Sequence, residues 1–215
     1  MAEIIERSLK TEKQIALARL QDAVVMAVNE VDPSIVMHGG TAIWRCYNGN
    51  RFSDDVDVYL TERQLEKINH GFTWALSKRN VKMEYPKISG GNIIVFNDTA
   101  RTKFEGMKKQ RPIRPVQKDY TRVDGTKFVI TTLSIEDFIL EKIHTYGKRM
   151  YARDLYDIYH LCSIEPLSAR VKKALKKFLG GIEKPLNEGT LKDIVYIGAA
   201  PTFETMVASI KGKSE

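Results

Sequence analysis

Between residues 3 and 29 the apolar residues Ile5, Leu9, Leu17, Leu20, Val24 and Val28 recur mostly at three, four or seven positions. That is the spacing of one helix face and predicts an opening amphipathic helix. Asp32-Pro33 breaks the pattern, and Ile35-Val36-Met37 runs directly into His38-Gly39-Gly40-Thr41, which reads as strand, tight turn, helix. A short helix over residues 42–47 ends in the turn-rich Asn48-Gly49-Asn50, after which Val56, Val58 and Leu60 alternate with polar residues as a strand does. Thr61, with Gln64 three residues on, predicts the capped start of a helix running to about Asn80. Strand-like pieces follow at 81–85, 92–97, 102–107 and 127–132. The stretch 108–124 carries Arg111, Pro112, Arg114, Pro115 and Lys118 with no periodicity, and reads as a long basic surface loop.

At Ser134 the pattern turns wholly helical. Ser134-x-x-Asp137 offers a cap, and Phe138, Ile139, Ile143 and Tyr146 share a side, with Gly147 placed to bend or end that helix. Further helices are predicted over 152–162, over 167–179 with Val171, Leu175 and Phe178 inward, and over roughly 201–211 with Phe203, Val207 and Ile210 to dock. These elements predict an α+β chain: a mixed sheet flanked by helices over residues 1–132, then a small helical domain over 133–215.

Composition narrows the class. With 215 residues, 43% of them hydrophobic and 28% charged, the chain has enough apolar material for a core, which excludes disordered and fibrous classes. Cys46 and Cys162 are too few for a disulfide framework and form no Cys-x-x-Cys pair, so a reducing cytoplasm is expected. The start MAEIIERSLK is not signal-like, and no apolar run approaches the roughly 18 residues of a membrane span. A formal charge of +7 and a pI near 9.3 favour a polyanionic partner. Arg170, Lys172, Lys173, Lys176 and Lys177 gather on one predicted helix.

The candidate chemistry lies at the second strand. In Arg51-Phe52-Ser53-Asp54-Asp55-Val56-Asp57-Val58, side chains two apart share a face, so Asp55 and Asp57 present their carboxylates together while Asp54 points away. Two adjacent like charges favour a hard cation between them, Mg²⁺ or Mn²⁺. Upstream, Gly39-Gly40 lets the backbone approach a ligand, and the following helix start, with Thr41, offers amides to a phosphate. Ser53 can donate a hydroxyl to the β- or γ-phosphate of a nucleoside triphosphate and Arg51 can supply charge nearby. His38 reads as a strand-end packing residue, His144 and His160 as helix-face residues, and no His/Cys cluster has zinc spacing.

The segment GGTAIWRCYNGNRFSDDVDVYL resembles the signature of the AbiEii-type nucleotidyltransferases, a group that includes toxins of toxin–antitoxin systems within the polymerase-beta-like superfamily. A second block is similar as well: Ser134 to Lys142, then Arg149 and Arg153-Asp154-Leu155-Tyr156-Asp157-Ile158, like the family's helical lysine motif and its following acidic motif. The resemblance implies a nucleotidyltransferase-type sheet and transfer of a nucleotide from a triphosphate to an acceptor hydroxyl, with pyrophosphate released. It implies a lysine, Lys142, that neutralises triphosphate charge, with Asp154 or Asp157 important for activity, and a third metal carboxylate on a later strand, for which Glu105 is the candidate. Two divalent ions would then bridge Asp55, Asp57 and Glu105 to the triphosphate. RNA, at a tRNA 3′ end, is the first acceptor to consider, and a cognate antitoxin the partner. A small-molecule or protein acceptor keeps the same fold, and a catalytically silent module that binds nucleic acid or antitoxin is the different class.

Overall fold

The computed structural model describes residues 4–85, 92–108 and 112–215. The chain divides into two compact units, Met1–Asn48 with Phe52–Thr132, and Gly49–Arg51 with Leu133–Glu215. The three residues Gly49–Arg51 belong with the second unit, where Arg51 forms an isolated antiparallel bridge with Val195 and the Asn50 carbonyl accepts from the Tyr196 amide at 3.0 Å. Periodicity could not show this, because a three-residue excursion carries no period.

In the first unit a 3₁₀ turn, Ile5–Ser8, precedes helix α1, Glu12–Val31. The single opening helix expected from the apolar spacing is thus two pieces: Thr11 is the N-cap of α1, its hydroxyl accepting from the Gln14 amide at 3.2 Å. Strand β1, Val36–His38, leads into α2, Gly39–Cys46, which starts at the first glycine of the pair. Strand β2, Val56–Tyr59, is followed by α3, Glu62–Ser77, whose N-terminus carries the capping box predicted at Thr61 and Gln64. The remaining strands are β3, Lys82–Met83, β4, Asn92–Phe96, β5, Arg101–Met107, β6, Pro115–Thr121, and β7, Lys127–Leu133.

The sheet order is β3-β4-β5-β2-β1-β7-β6. It is mixed: β1 pairs antiparallel with β2 and parallel with β7, and β2 pairs parallel with β5. One face is apolar. Val25 and Val28 of α1 share a small cavity lining with Met37, Val56, Val58 and Ile130, and Phe72 of α3 packs on Phe104 with ring centroids 4.9 Å apart. The opposite face of β1, β2 and β5 carries the polar residues of the candidate site.

Strand β6 corrects the expectation of a loop over 108–124, and Arg111 lies outside the described residues. It is an edge strand that exposes most of its side chains, so it shows no alternation, and Pro115 opens it where a missing amide is tolerated. Its anchor is Tyr120, fully buried, whose hydroxyl donates to Asp22 Oδ1 at 3.1 Å; Asp22 also receives Arg45 at 2.5 Å and the Val123 amide at 2.9 Å.

The second unit is helical: α4, Ile135–Arg149, α5, Ala152–Cys162, α6, Ala169–Leu179, a short α7, Leu191–Ile194, and α8, Phe203–Ser214. Ser134 caps α4 by accepting from the Asp137 amide, as its position predicts. Gly147 neither bends nor ends α4; the helix closes at Met150, which takes the left-handed conformation with φ 51°. No helix among the described residues is long and apolar enough to cross a membrane.

Candidate active site

The sheet part of the site is built on strand register. His38, Asp57 and Glu105 are paired across β1, β2 and β5, so their side chains form one row on a single face. His38 is buried, and its ring stacks on Tyr59 at 3.9 Å with the planes 4° apart, consistent with the packing role expected of it. Asp57 on β2 and Asp55 just before it are half-buried while Asp54 is exposed; β2 begins at Val56, so Asp55 precedes the strand on which the sequence placed it.

Gly39 stands at the turn from β1 into α2 with φ +73°. A side chain there would place Cβ 2.8 Å from Asp57 Cγ and closer still to Oδ2. The Asp57 carboxylate therefore lies directly over the glycine, and the turn needs glycine for its backbone conformation and for space. Behind it, α2 begins with no side-chain cap from His38. Gly40 and Thr41 occupy the first turn, and both are buried. The Thr41 hydroxyl turns inward and donates to the Asp55 carbonyl at 2.5 Å, so what Thr41 can offer a phosphate is its amide, not its side chain.

Glu105 has a partner that spacing could not reveal. Lys103, two residues earlier on β5, places Nζ 2.7 Å from Glu105 Oε2. The Glu105 hydrogen bond raises the pKa of the Lys103 ammonium, burial opposes it, and the charges of Asp55 and Asp57 add to the rise. Lys103 is thus the counter-ion of the acidic row. Among the described residues no group of three His, Cys, Asp or Glu side chains converges as a metal centre. The Asp55–Asp57 pair beside the bare Cα of Gly39 does suit a divalent ion, since Mg²⁺ is commonly held by one or two carboxylates with water and substrate phosphates completing its shell.

The helical unit has its own polar cluster. Asp154 and Asp157 are 0% and 1% exposed, one turn apart on α5. Asp157 receives Arg51 through two bonds of 2.6 Å and Lys142 at 2.8 Å. Asp154 receives Arg149 at 2.7 and 2.9 Å and Lys142 at 3.3 Å. Burial would raise the Asp157 carboxyl, but Arg51 and Lys142 beside it hold it down to about 2. Lys142 is pushed the other way by the same contacts: burial favours its neutral form, while Asp157 and Asp154 outweigh that and raise its pKa. The structure therefore unites Arg51 with Lys142, Asp154 and Asp157, which are far apart in sequence, and adds Arg149, which the second motif block contains but to which no role was given. The nearest sequence signal for Arg149 was its place five residues before Asp154, just across the α4–α5 turn.

A family model described as "Nucleotidyl transferase AbiEii toxin, Type IV TA system" matches residues 24–200. The chain belongs to this family. It is therefore a nucleotidyl transferase of a toxin–antitoxin class, as the two motif blocks implied. No curated protein sequence gives a significant match. Among solved structures, a protein from H. pylori assigned as a nucleotidyltransferase superposes with a TM-score of 0.60 at 17% identity, covering 95% of this chain and 94% of that one. JHP933 from Helicobacter pylori gives 0.61 at 17% identity, covering 96% and 92%. At such identity these two establish the shared fold, a mixed sheet with flanking helices and a helical C-terminal region.

Proposed function

We propose that this AbiEii-family protein transfers a nucleoside monophosphate from a triphosphate to an RNA hydroxyl, with the 3′ end of a tRNA as the acceptor to test first. The observation that carries the proposal is the Asp57 carboxylate seated on Gly39 at the start of α2, beside Asp55, whose backbone Thr41 holds. Carboxylates for a cation and helix-start amides for phosphate oxygens then meet within one unit. Asp55 and Asp57 would hold the divalent ion, Mg²⁺ or Mn²⁺, while Gly39, Gly40 and Thr41 would offer amides and Ser53 its hydroxyl to the triphosphate. A bound ion would polarise the α-phosphate and stabilise the pyrophosphate leaving group.

The acceptor oxygen bonds to the α-phosphorus as the bond to the bridging oxygen breaks, and Asp57 takes the acceptor proton. Glu105 pairs with Lys103 in the same row, so the ion is assigned first to Asp55 and Asp57. In the helical unit, Arg51, Lys142 and Arg149 pair with Asp154 and Asp157, and Lys142 is the cation that the family resemblance assigns to triphosphate charge. An antitoxin is the partner that the family implies, and the cytoplasm the expected compartment.

Purified protein incubated with each α-labelled triphosphate, Mg²⁺ and total RNA should label RNA with at least one nucleotide. Asp55→Ala and Asp57→Ala should each lower the rate at least about 100-fold, whereas Glu105→Gln should cost less than about tenfold. Full transfer by either aspartate variant would overturn the metal-site assignment. Labelling of small molecules or protein but not RNA would move the acceptor to those classes, and no turnover of any nucleotide would favour the silent binding module.

A further inference from the structure

The segment Ser53-Asp54-Asp55 belongs to no helix or strand, yet it must hold the Asp55 carboxylate beside Asp57. Its three successive carbonyls are each taken by a side chain from a different element. Gln21 of α1 donates Nε2 to the Ser53 carbonyl at 2.8 Å. Thr102 of β5 donates to the Asp54 carbonyl at 2.6 Å, and Thr41 of α2 to the Asp55 carbonyl at 2.5 Å. All three donors are buried.

Gln21 is the least expected of them. It is fully buried in the middle of α1, between the buried Leu20 and Asp22. Its Oε1 is buried with no hydrogen-bond partner among the described residues. A buried acceptor left without a partner costs stability, so the amide is a poor choice for packing alone. What it supplies is a donor that reaches the Ser53 carbonyl. A loop whose carbonyls are fixed at three consecutive positions keeps the φ and ψ that aim Asp55, and without such contacts the carboxylate would sample many directions and bind a cation less tightly.

We propose that Gln21 and Thr102 are positioning residues that set the Ser53–Asp55 backbone so that Asp55 meets the divalent ion together with Asp57. This rests on the nucleotidyl-transfer reading in which those two aspartates hold the ion. Both would act through the Ser53 and Asp54 carbonyls and not as ligands themselves.

The test is a Mn²⁺ titration of the full chain, with free Mn²⁺ followed by its EPR signal, on wild type, Gln21→Met, Thr102→Val and Asp55→Asn. Methionine keeps the length of Gln21 while removing both the donor and the orphaned acceptor, and valine keeps the shape of Thr102. Each positioning variant should bind Mn²⁺ about tenfold more weakly. The melting temperature should stay within about 3 °C of wild type. With triphosphate and RNA, the lost rate should return as Mn²⁺ is raised to saturation, a rescue that a packing defect would not show. Should Gln21→Met fail to fold, Thr102→Val carries the test. Wild-type Mn²⁺ affinity in both positioning variants, beside a loss in Asp55→Asn, overturns the positioning role and leaves the metal assignment standing. Unchanged affinity in Asp55→Asn overturns both.

Discussion

Gly39 couples backbone and chemistry in a single position. Its φ of +73° is open to glycine at little cost and disfavours alanine by roughly 1–2 kcal/mol. The added methyl would also meet the carboxylate of Asp57. Gly39→Ala should therefore fold with reduced stability and lose nucleotide transfer by about 100-fold or more, because Asp57 must rotate away from its place in the row. Circular dichroism separates the two effects, and transfer at the wild-type rate would show that Asp57 need not lie where the structure puts it. The turn at Gly39-Gly40 and the place of Asp57 on β2 were legible from sequence, because a glycine pair after an apolar run marks a tight turn and a period of two marks a strand face. The Lys103–Glu105 pair was not: a period of two puts both on one face, but it does not say whether two charges so placed bind each other or a metal. The inward turn of the Thr41 hydroxyl was equally hidden, since a threonine after Gly-Gly reads the same whether it faces a phosphate or a carbonyl.

Helices α4 and α5 hold the second motif block through a buried ion network, and such networks respond to pH with a definite sign. Asp157 is held down to about 2, below its ordinary 3.8. Its stabilising contribution is present above pH ~4 and is lost as the pH falls towards 2, on the order of 2 kcal/mol. Acid should thus weaken the helical unit across that window. Asp157→Asn should flatten this pH dependence while destabilising the protein by about 3–5 kcal/mol at neutral pH, because Arg51 and Lys142 would be left buried with one carboxylate fewer. Chemical denaturation of both proteins at pH 6 and pH 3 measures it, and equal acid sensitivity would mean that other carboxylates set the slope. At this scale the long helices and most strands were legible from periodicity and caps. Strand β6 was not, because an edge strand is held by backbone pairing and one buried tyrosine, which leaves little apolar pattern to read. The excursion of Gly49–Arg51 into the second unit was hidden for a similar reason: Arg51 is placed by Asp157 and Val195, both distant in sequence.

For the whole molecule, a charge of +7 says that a polyanion is attracted but not where it lies. Helix α6 gives that charge an address. Val171 and Leu175 are buried on one side, while Arg170, Lys173, Lys176 and Lys177 are exposed and Lys172 is half-buried, with no acidic residue on the helix to offset them. Arg170 lies 3.5 Å from Asp137, which leaves the four lysines as the principal anion-facing charges of the helix. If RNA lies on this face, its affinity must fall with salt, because each phosphate that a lysine neutralises releases condensed cations, with a slope of about −0.7 per contact in log K against log salt for a single strand. Replacing Lys172, Lys173, Lys176 and Lys177 together by alanine should make that slope shallower by up to about 3 and weaken binding of different RNA sequences alike. Their removal leaves the buried side of α6 intact, so the fold should persist. Filter binding of a labelled tRNA and an unrelated single strand at several salt concentrations makes the measurement. An unchanged slope would place the RNA on another basic surface of the chain, and a slope lost for one RNA but not the other would mean that α6 reads shape or sequence as well as charge.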